Sequence, residues 1–466
     1  MLVNMFYGDA FRFHLLGFCF LLFFSISIRT FSQTEIFTPA TEDISSLQAL
    51  LNKYETTYRS NLNTLPKENK KDLEQVYGLR WKNIKDKFDK SEIYTSTNAQ
   101  QYLDQIVDKI TQANPLLNNK DFKCYFSRSG VPNASYLGEG VILFNMGLFH
   151  RLANESQVAF VICHEIAHFY LQHSERSINS YVSRINSKEV QKELREIKGS
   201  TYRKEEQVDK FIKTMSFDSR RHTRQNEHEA DSMAVEFLKN TTFNIAESLT
   251  ALSLLDNIDS DSMDIETSLK TTLNTKDYPF QNRWIRKETG LLGGHAQLQE
   301  VSWADSLKTH PDCSLRIAQL ASMVQKYFSD YPANIIDAAV FQNLQKDFRY
   351  EIIEYEYKLE NFSRSLFYCL QLLEHKNQDQ YLVTMVGKSL NAIHHALKAH
   401  RLSKVTDLPS PQYAQNYNSL CQFIQNLYAE NIASLSYHFL NQYKDTMGQL
   451  EAFRKVYNDI EKIAPK

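Results

Sequence analysis

The residues that could do chemistry most directly lie in VICHEIAHFYLQH, at positions 161–173. Positions four apart on a helix share one face, so His164 and His168 can direct imidazole nitrogens at one zinc ion about 2.0–2.1 Å away. Glu165 lies beside them, where its carboxylate can contact a water molecule on the metal and take its proton. The spacing therefore predicts one catalytic Zn²⁺ per chain.

The flanking sequence favours a metal site over a helix that merely contains histidines. Asn154 suits an N-cap, Gln157 follows three residues later, and residues 158–163 are all apolar. These features predict a capped helix that is buried on most sides. Buried histidine and glutamate side chains are costly to desolvate unless a partner such as a metal ion compensates them.

A catalytic zinc site needs a third protein ligand and an open fourth position. The extended motif H-E-x-x-H-x-x-G-x-x-H does not fit, since Leu171 and Ser174 occupy its last two defined positions. His173 lies five residues after His168, which would place it off the ligand face and in solvent. His295, in GGHA, could be an extra ligand from a covering loop, although a loop histidine is more often exposed.

A better source of the third ligand is NEHEAD at positions 226–231. Glu227 and Asp231 are four apart on a predicted helix, so one carboxylate can reach the metal. The other can accept the remaining N–H of a ligating histidine, as such carboxylates commonly do. His228 and Glu229 point elsewhere on that helix and are weaker candidates.

The composition excludes several classes of protein. A net charge of -2 over 466 residues gives no reason to expect a nucleic-acid partner. Only 13 glycines argue against a β-sandwich or a nucleotide-binding fold. Beyond Cys19, five scattered cysteines suggest neither a disulfide framework nor a thiolate zinc site. One or two bridges stay open in an exported protein, and the odd number leaves at least one thiol free.

The first residues have the pattern of a secretory signal peptide over 1–32. Arg12 precedes an uncharged apolar run over 15–28, and Thr30 and Ser32 occupy the small-residue positions of a cleavage site. This predicts an exported protein, periplasmic or secreted, with no membrane span after cleavage. The alternative is an uncleaved anchor, which would leave the protein associated with the membrane.

The remaining chain predicts a mainly α fold of α+β type. Strands are expected at 121–127 and 141–144, among amphipathic helices. Residues 174–225 are charged and helical in character and are expected to form a surface hairpin or partly mobile loop, and 256–308 loops over the preceding domain. From about 330 onwards successive helices have the rhythm of tetratricopeptide repeats, with a plain helical bundle as the alternative.

Four segments in the same order resemble the M48 metallopeptidases, which include CAAX prenyl proteases and a periplasmic assembly-protease branch. They are NASYLGEGVILFNMGL, HEIAH, NEHEAD and THPDCSLRI. The resemblance implies a zincin-type helical metallopeptidase domain over 96–325, with a small sheet and an active-site edge strand. An N-terminal helical segment over 33–95 precedes it, and a C-terminal helical domain over 326–466 follows.

The resemblance also implies roles for individual residues. Glu227 becomes the third zinc ligand and Asp231 a supporting residue. His310 and Arg316 are implied to face the active site, the histidine stabilising an oxyanion or occluding the metal and the arginine bracing the carboxylates.

The segment around 138–144, with Gly138, Gly140, Val141 and Leu143, is implied to be the edge strand that pairs with an extended substrate. Glu139, between the two glycines, departs from the family's pattern.

Three functional hypotheses remain open at this point. The first is a zinc endopeptidase that acts on unfolded or envelope proteins in quality control or assembly. The second is a chaperone-like assembly adaptor with a latent protease domain, whose C-terminal helices bind a protein partner. The third, an exopeptidase, lacks any marked pocket for a chain terminus. The several apolar helices of membrane-embedded relatives are missing, which argues against prenyl-protein processing.

Overall fold

The computed structural model describes residues 37–199, 223–258, 263–286, 313–376, 378–410 and 413–465. They form a mainly helical fold with one small three-stranded sheet, which confirms the predicted fold class. The predicted signal peptide, His295 and His310 lie outside the described residues. Among the described helices, none has both the length and the apolar character that a membrane crossing requires.

The described residues up to 286 contain ten α-helices, including short ones. They are α1 Ile44–Asn63, α2 Lys70–Asp89, α3 Thr97–Ala113, α4 Met146–Phe149, α5 Glu155–Tyr170, α6 His173–Ile185, α7 Lys188–Gly199, α8 223–238, α9 Glu247–Asn257 and α10 Ile265–Leu273. Two 3-10 turns add to these, Pro115–Leu117 and Asn282–Ile285.

Among the described residues from 313 onwards, every regular element is a helix. Its elements are α11 Cys313–Lys326, α12 Ala338–Lys358, α13 Phe362–Leu373, α14 Gln380–Lys398, α15 Leu402–Val405, α16 Gln415–Gln425, α17 Ala429–Asn441, α18 Lys444–Met447 and α19 Glu451–Glu461. Consecutive long helices pack on each other, α12 on α13 and α13 on α14. Whether they form tetratricopeptide repeats stays a prediction.

The sheet has the order β1-β3-β2, with β1 at Lys123–Ser127, β2 at Ala134–Gly138 and β3 at Val141–Asn145. Strand β3 pairs in parallel with β1 and antiparallel with β2. The two predicted strands correspond to β1 and β3 and are confirmed.

The expected edge strand was wrong in its position. Val141 and Leu143 lie on β3, which is central, so its backbone groups are used by partners on both sides. Their side chains are buried against α1 and α2. Gly138 ends β2 and Gly140 lies in the following turn. The edge strands of the sheet are β1 and β2, and β2, over 134–138, is the one next to the predicted segment.

The two faces of the sheet pack against different helices because side chains alternate along a strand. Ile142 and Phe144 face the first hydrophobic core, which contains α3, α5, α8, α9 and α11. Val141 and Leu143 face the opposite way, against Leu51 and other side chains of α1 and α2. The sheet is thus the middle layer between the N-terminal helix pair and the helix that carries the histidines.

The helical character expected within 174–225 is present, whereas the loops expected over 256–308 are partly helical. Within the first range, α6 and α7 are helices, and Val182 of α6 is buried against Leu73 and Tyr77 of α2. Within the second, α10 and Trp284 belong to a second hydrophobic core with the C-terminal helices. Residues 265–285 therefore do not cover the preceding domain as loops, because their apolar side chains are buried elsewhere.

The five cysteines among the described residues are all buried and free, so none forms a disulfide bridge. Their side chains serve as small apolar core residues. For example, Cys163 and Cys313 lie in the first core.

One buried carboxylate ties the start of α5 to the start of the C-terminal helices. Glu155 is completely buried, and its oxygens accept hydrogen bonds from the backbone N–H groups of residues 335, 336 and 337, at 2.6–2.7 Å. The hydroxyl of Tyr102 donates a fourth, at 3.0 Å. The histidine-bearing helix is therefore anchored at its N-terminus by charge-assisted hydrogen bonds.

Glu155→Gln should destabilise the fold. Both oxygens of Glu155 accept hydrogen bonds, so the amide NH₂ of glutamine would face a donor in either orientation. We expect the free energy of unfolding in urea to fall by about 2–4 kcal/mol. Glu193→Gln, at an exposed position on α7, is the control and should change it by less than about 0.5 kcal/mol. Equal stability of the two variants would contradict the anchoring role.

Candidate metal centre

Helix α5 is capped and buried as its sequence predicts. The side chain of Asn154 accepts a hydrogen bond from the N–H of Gln157 at 3.0 Å, which confirms the predicted N-cap. Every residue from 155 to 167 is buried. His164 and Glu165 are thereby held in a rigid helix with little access to bulk water.

Three ligand atoms converge where α5 meets α8. The Nε2 atoms of His164 and His168 are 3.0 Å apart, and each lies 3.4 Å from a carboxylate oxygen of Glu227. Tetrahedral zinc with bonds of about 2.0–2.1 Å requires ligand atoms roughly 3.3 Å apart. The geometry therefore fits a zinc ion, and among the described residues this is the group that could hold a metal.

The Nδ1 side of the His164 ring, away from the converging Nε2 atoms, faces a second carboxylate. Its Nδ1 lies 2.9 Å from Oδ1 of Asp231, so an Nδ1–H can donate to Asp231 while Nε2 keeps its lone pair for the metal. Burial alone would lower the pKa of His164, but hydrogen bonds with Asp231 and Glu227 outweigh it and raise the pKa to about 10. The centre therefore stabilises positive charge at this point.

Arg316 of α11 joins the two carboxylates. It donates two hydrogen bonds of 2.7 Å to Asp231, and its Nη1 lies 3.4 Å from Glu227. Burial would raise the pKa of Asp231, but hydrogen bonds from Arg316 and His164 lower it below its ordinary value. Arg316 is itself buried against these carboxylates, so its contacts are those of a positioning residue rather than of a group that touches substrate.

The expectation that His173 is solvated was wrong. His173 is only 3% exposed, and its Nδ1 lies 2.8 Å from Nδ1 of His168. Helix α5 ends at Tyr170 and Gln172 has a φ of 54°, so the chain turns back instead of continuing the helix. The turn brings the first residue of α6 beside the metal ligand.

His173 links His168 to Glu229. The sequence predicts Glu229 only as a weaker ligand candidate, so this link is a finding of the structure. Nε2 of His173 lies 3.3 Å from Oε2 of Glu229, and Arg176 donates to the same oxygen at 2.8 Å. Burial lowers the pKa of His173 to about 4, so its ring is neutral at pH 7. A neutral ring satisfies both contacts by accepting from His168 at Nδ1 and donating to Glu229 at Nε2, which leaves Nε2 of His168 free for a metal.

Glu165 and the edge strand share one cleft with the converging atoms. The backbone N–H of Tyr136, on β2, donates to Oε2 of Glu165 at 2.7 Å. Ala134, Ser135, His168 and Glu227 line the same cleft, whose volume is about 320 Å³. Of the other sequence candidates, His228 is exposed and His310 lies outside the described residues.

An HExxH helix, a carboxylate ligand from a second helix and an edge strand over the same cleft define a zincin-type metallopeptidase centre. Residues 97–324 match the family model described as Peptidase family M48, almost the predicted range. This segment therefore belongs to a family of zinc-dependent metallopeptidases. No curated protein matches the chain.

Glu227→Ala should release the metal. The substitution removes one of three ligand atoms, so zinc measured by mass spectrometry after dialysis should fall from about one ion per chain toward none. Glu236→Ala is the control on the same helix, because Glu236 pairs with Lys239 away from the centre. Full zinc retention in the Glu227 variant would show that the ligand set is different.

His173→Phe should weaken zinc binding without emptying the site. Without its acceptor, Nδ1–H of His168 is no longer fixed, so we expect the zinc Kd to rise roughly 10–100-fold. Competition with a chromogenic chelator measures it, and His375→Phe, at an exposed position, should leave it unchanged. An unchanged Kd in the His173 variant would mean that the His168 ring is oriented by other contacts.

Proposed function

We propose that this chain is a zinc-dependent endopeptidase that hydrolyses internal peptide bonds in unfolded or envelope polypeptides after export to the cell envelope. One observation carries the proposal: Glu165, the three converging ligand atoms and the edge of the sheet border a single cleft. Family membership supports the reaction class, and the predicted signal peptide supports the location.

His164, His168 and Glu227 would hold the metal, and Asp231, His173 and Arg316 orient them. Bound there, zinc would act as a Lewis acid on water and on the substrate carbonyl. The carboxylate of Glu165 accepts the proton of the attacking water. As the C–N bond breaks, Glu165 donates that proton to the leaving amine, which restores its charge.

Strand β2 would bind the substrate in an extended conformation. Its one partner strand is β3, and the N–H of Tyr136 already points away from β3 toward Glu165. The outer edge of β2 therefore presents backbone groups to the cleft, where a peptide could add as a further strand. Backbone pairing selects extended chains rather than particular side chains, which suits an unfolded substrate.

Glu165→Gln should abolish cleavage while retaining the metal. We expect kcat on an unfolded protein, and on a peptide with both ends blocked, to fall about 10²–10⁴-fold because the amide cannot accept the water's proton. Quenched-fluorescence assays measure kcat, and Glu193→Gln is the matched control at an exposed site.

Wild-type turnover by the Glu165 variant, at equal zinc content, would overturn the mechanism. If the wild-type enzyme trims free peptides but leaves blocked ones uncut, the enzyme is an exopeptidase and the endopeptidase proposal is wrong.

The adaptor hypothesis has one structural observation in its favour. The C-terminal helices, with α10, form a hydrophobic core separate from that of the metal centre. Their outer surface includes Tyr428, which is 74% exposed, and a protein partner could bind there. Complementation distinguishes the two roles: if Glu165→Gln restores every phenotype of a deletion strain, the adaptor role is the principal one.

Truncation after about residue 330 is a poorer test of that hypothesis. It would remove Phe341 and Phe348 of α12, which are buried in the first core. Loss of activity in such a truncation would report on folding of the peptidase itself.

A further inference from the structure

The turn between β2 and β3 carries a conformational cost that its own sequence does not explain. Glu139 and Gly140 form a two-residue connection, and both have positive φ, 53° and 78°. Glycine and asparagine adopt this conformation readily, but glutamate does so at a cost. The side chain of Glu139 is moreover completely buried. A buried charge in a strained turn implies a strong partner.

That partner is Arg80 of α2. Its Nη2 donates to Oε1 of Glu139 at 2.6 Å, and Asn61 of α1 donates to the other oxygen. The guanidinium lies over the ring of Tyr77, with its carbon 4.6 Å from the ring centroid. A Cβ at Gly138 would lie 2.5 Å from Nε of Arg80, so the turn has room for Arg80 only because residue 138 is glycine.

The same guanidinium also holds the start of α6. Its Nη1 donates to Glu175 at 2.9 Å and to Ser174 at 3.2 Å. These residues directly follow His173, which contacts the metal ligand His168. Ser174 lines the catalytic cleft. Arg80 thus joins the β2–β3 turn to the start of α6 through the two terminal nitrogens of one planar group, which lysine cannot do.

The edge strand completes the connection. The hydroxyl of Tyr136 lies 3.3 Å from the Glu175 oxygen that Arg80 binds, while its backbone N–H donates to Glu165. Helices α1 and α2 also pack on the back of the sheet through Leu51 and Ile84. Together, these contacts of the N-terminal helices hold β2 in its position.

We infer that the N-terminal helix pair, which lies outside the family-matched segment 97–324, is part of the catalytic unit, and that Arg80 is a positioning residue that sets β2 and the start of α6 for extended substrates. The role assigned to Arg80 rests on the proposed peptidase function. Arg80 touches no metal ligand, so it acts on substrate alignment and leaves the zinc ligands in place.

The test is Arg80→Lys in the full-length, zinc-loaded protein. Lysine keeps the positive charge but reaches one carboxylate, so β2 should lose its fixed position. For a long peptide that can pair along the strand, we expect KM to rise roughly tenfold with a smaller change in kcat. For a short peptide that spans little more than the cleaved bond, KM should change much less. Zinc content should stay at the wild-type level.

Arg59→Lys is the matched control, the same substitution on α1 in an exposed pair with Glu55. Glu139→Gln is a second variant for the case in which Arg80→Lys folds poorly, because glutamine keeps the shape and the hydrogen bond from Arg80. It should raise KM for the long peptide in the same direction but by less.

Hydrogen exchange provides a readout that does not depend on hydrolysis. In Arg80→Lys the backbone amides of 134–138 should exchange roughly fivefold faster, while those of α5 stay unchanged. If the wild-type protein cleaves no peptide, the proposed function fails, and exchange still decides whether Arg80 positions β2.

Two results would overturn the inference. One is a folded, zinc-loaded Arg80→Lys protein with unchanged KM for the long peptide and unchanged exchange in β2. The other is a fall in kcat that equals the loss of folded protein, with KM the same as in wild type for both peptides, since that would show a purely structural role.

Discussion

A buried carboxylate, Asp231, and a partly buried one, Glu227, lie against imidazoles whose ligand nitrogens are 3.0 Å apart, and this arrangement is unfavourable without a cation. Glu227 and Asp231 together carry two negative charges, of which Arg316 balances one. The remaining charge and the facing lone pairs attract a positive ion. The same carboxylates raise the pKa of His164, because their hydrogen bonds and charges outweigh the effect of burial. The electrostatics therefore require α5, α8 and α11 to meet at one point.

The surrounding packing makes that meeting possible. Ala167 of α5 and Ala230 and Ala234 of α8 are completely buried in the first core, and small side chains suit close packing of helices. At the far end of α5, Glu155 accepts hydrogen bonds from the segment that leads into α12. The helix is thus fixed at both ends, by backbone donors at its start and by the metal centre at its last turn. A rigid helix keeps both histidines in register with Glu227.

The part of the site that sequence could predict is the part set by local spacing. His164 and His168, or Glu227 and Asp231, share a helix face whatever the rest of the fold does, and the Asn154 cap depends on three neighbouring residues. His173 escaped prediction because its position depends on the left-handed φ of Gln172, a residue without a turn signature. The edge strand was misplaced because strand order follows from the non-local pairing of β1 with β3, which no local pattern encodes.

Arg80 illustrates the same limit over a longer range. Its partners Glu139 and Glu175 are 59 and 95 residues away in sequence, and each looks like an ordinary surface charge in its own segment. The hint in the sequence was a glutamate between two glycines, in a turn that favours smaller residues.

In the proposed peptidase, the contact between Tyr136 and Glu165 would join substrate alignment to proton transfer. The N–H that orients the carboxylate belongs to the strand that would pair with the substrate, so a shift of β2 moves both together. Ala134, two residues earlier on the same edge, lines the cleft as well. Because the same strand would hold the substrate and donates to the carboxylate of Glu165, this hydrogen bond would help to keep their separation when the strand moves slightly. A carboxylate held only by its own helix would lack that coupling, and its distance to the substrate would vary with every motion of the sheet.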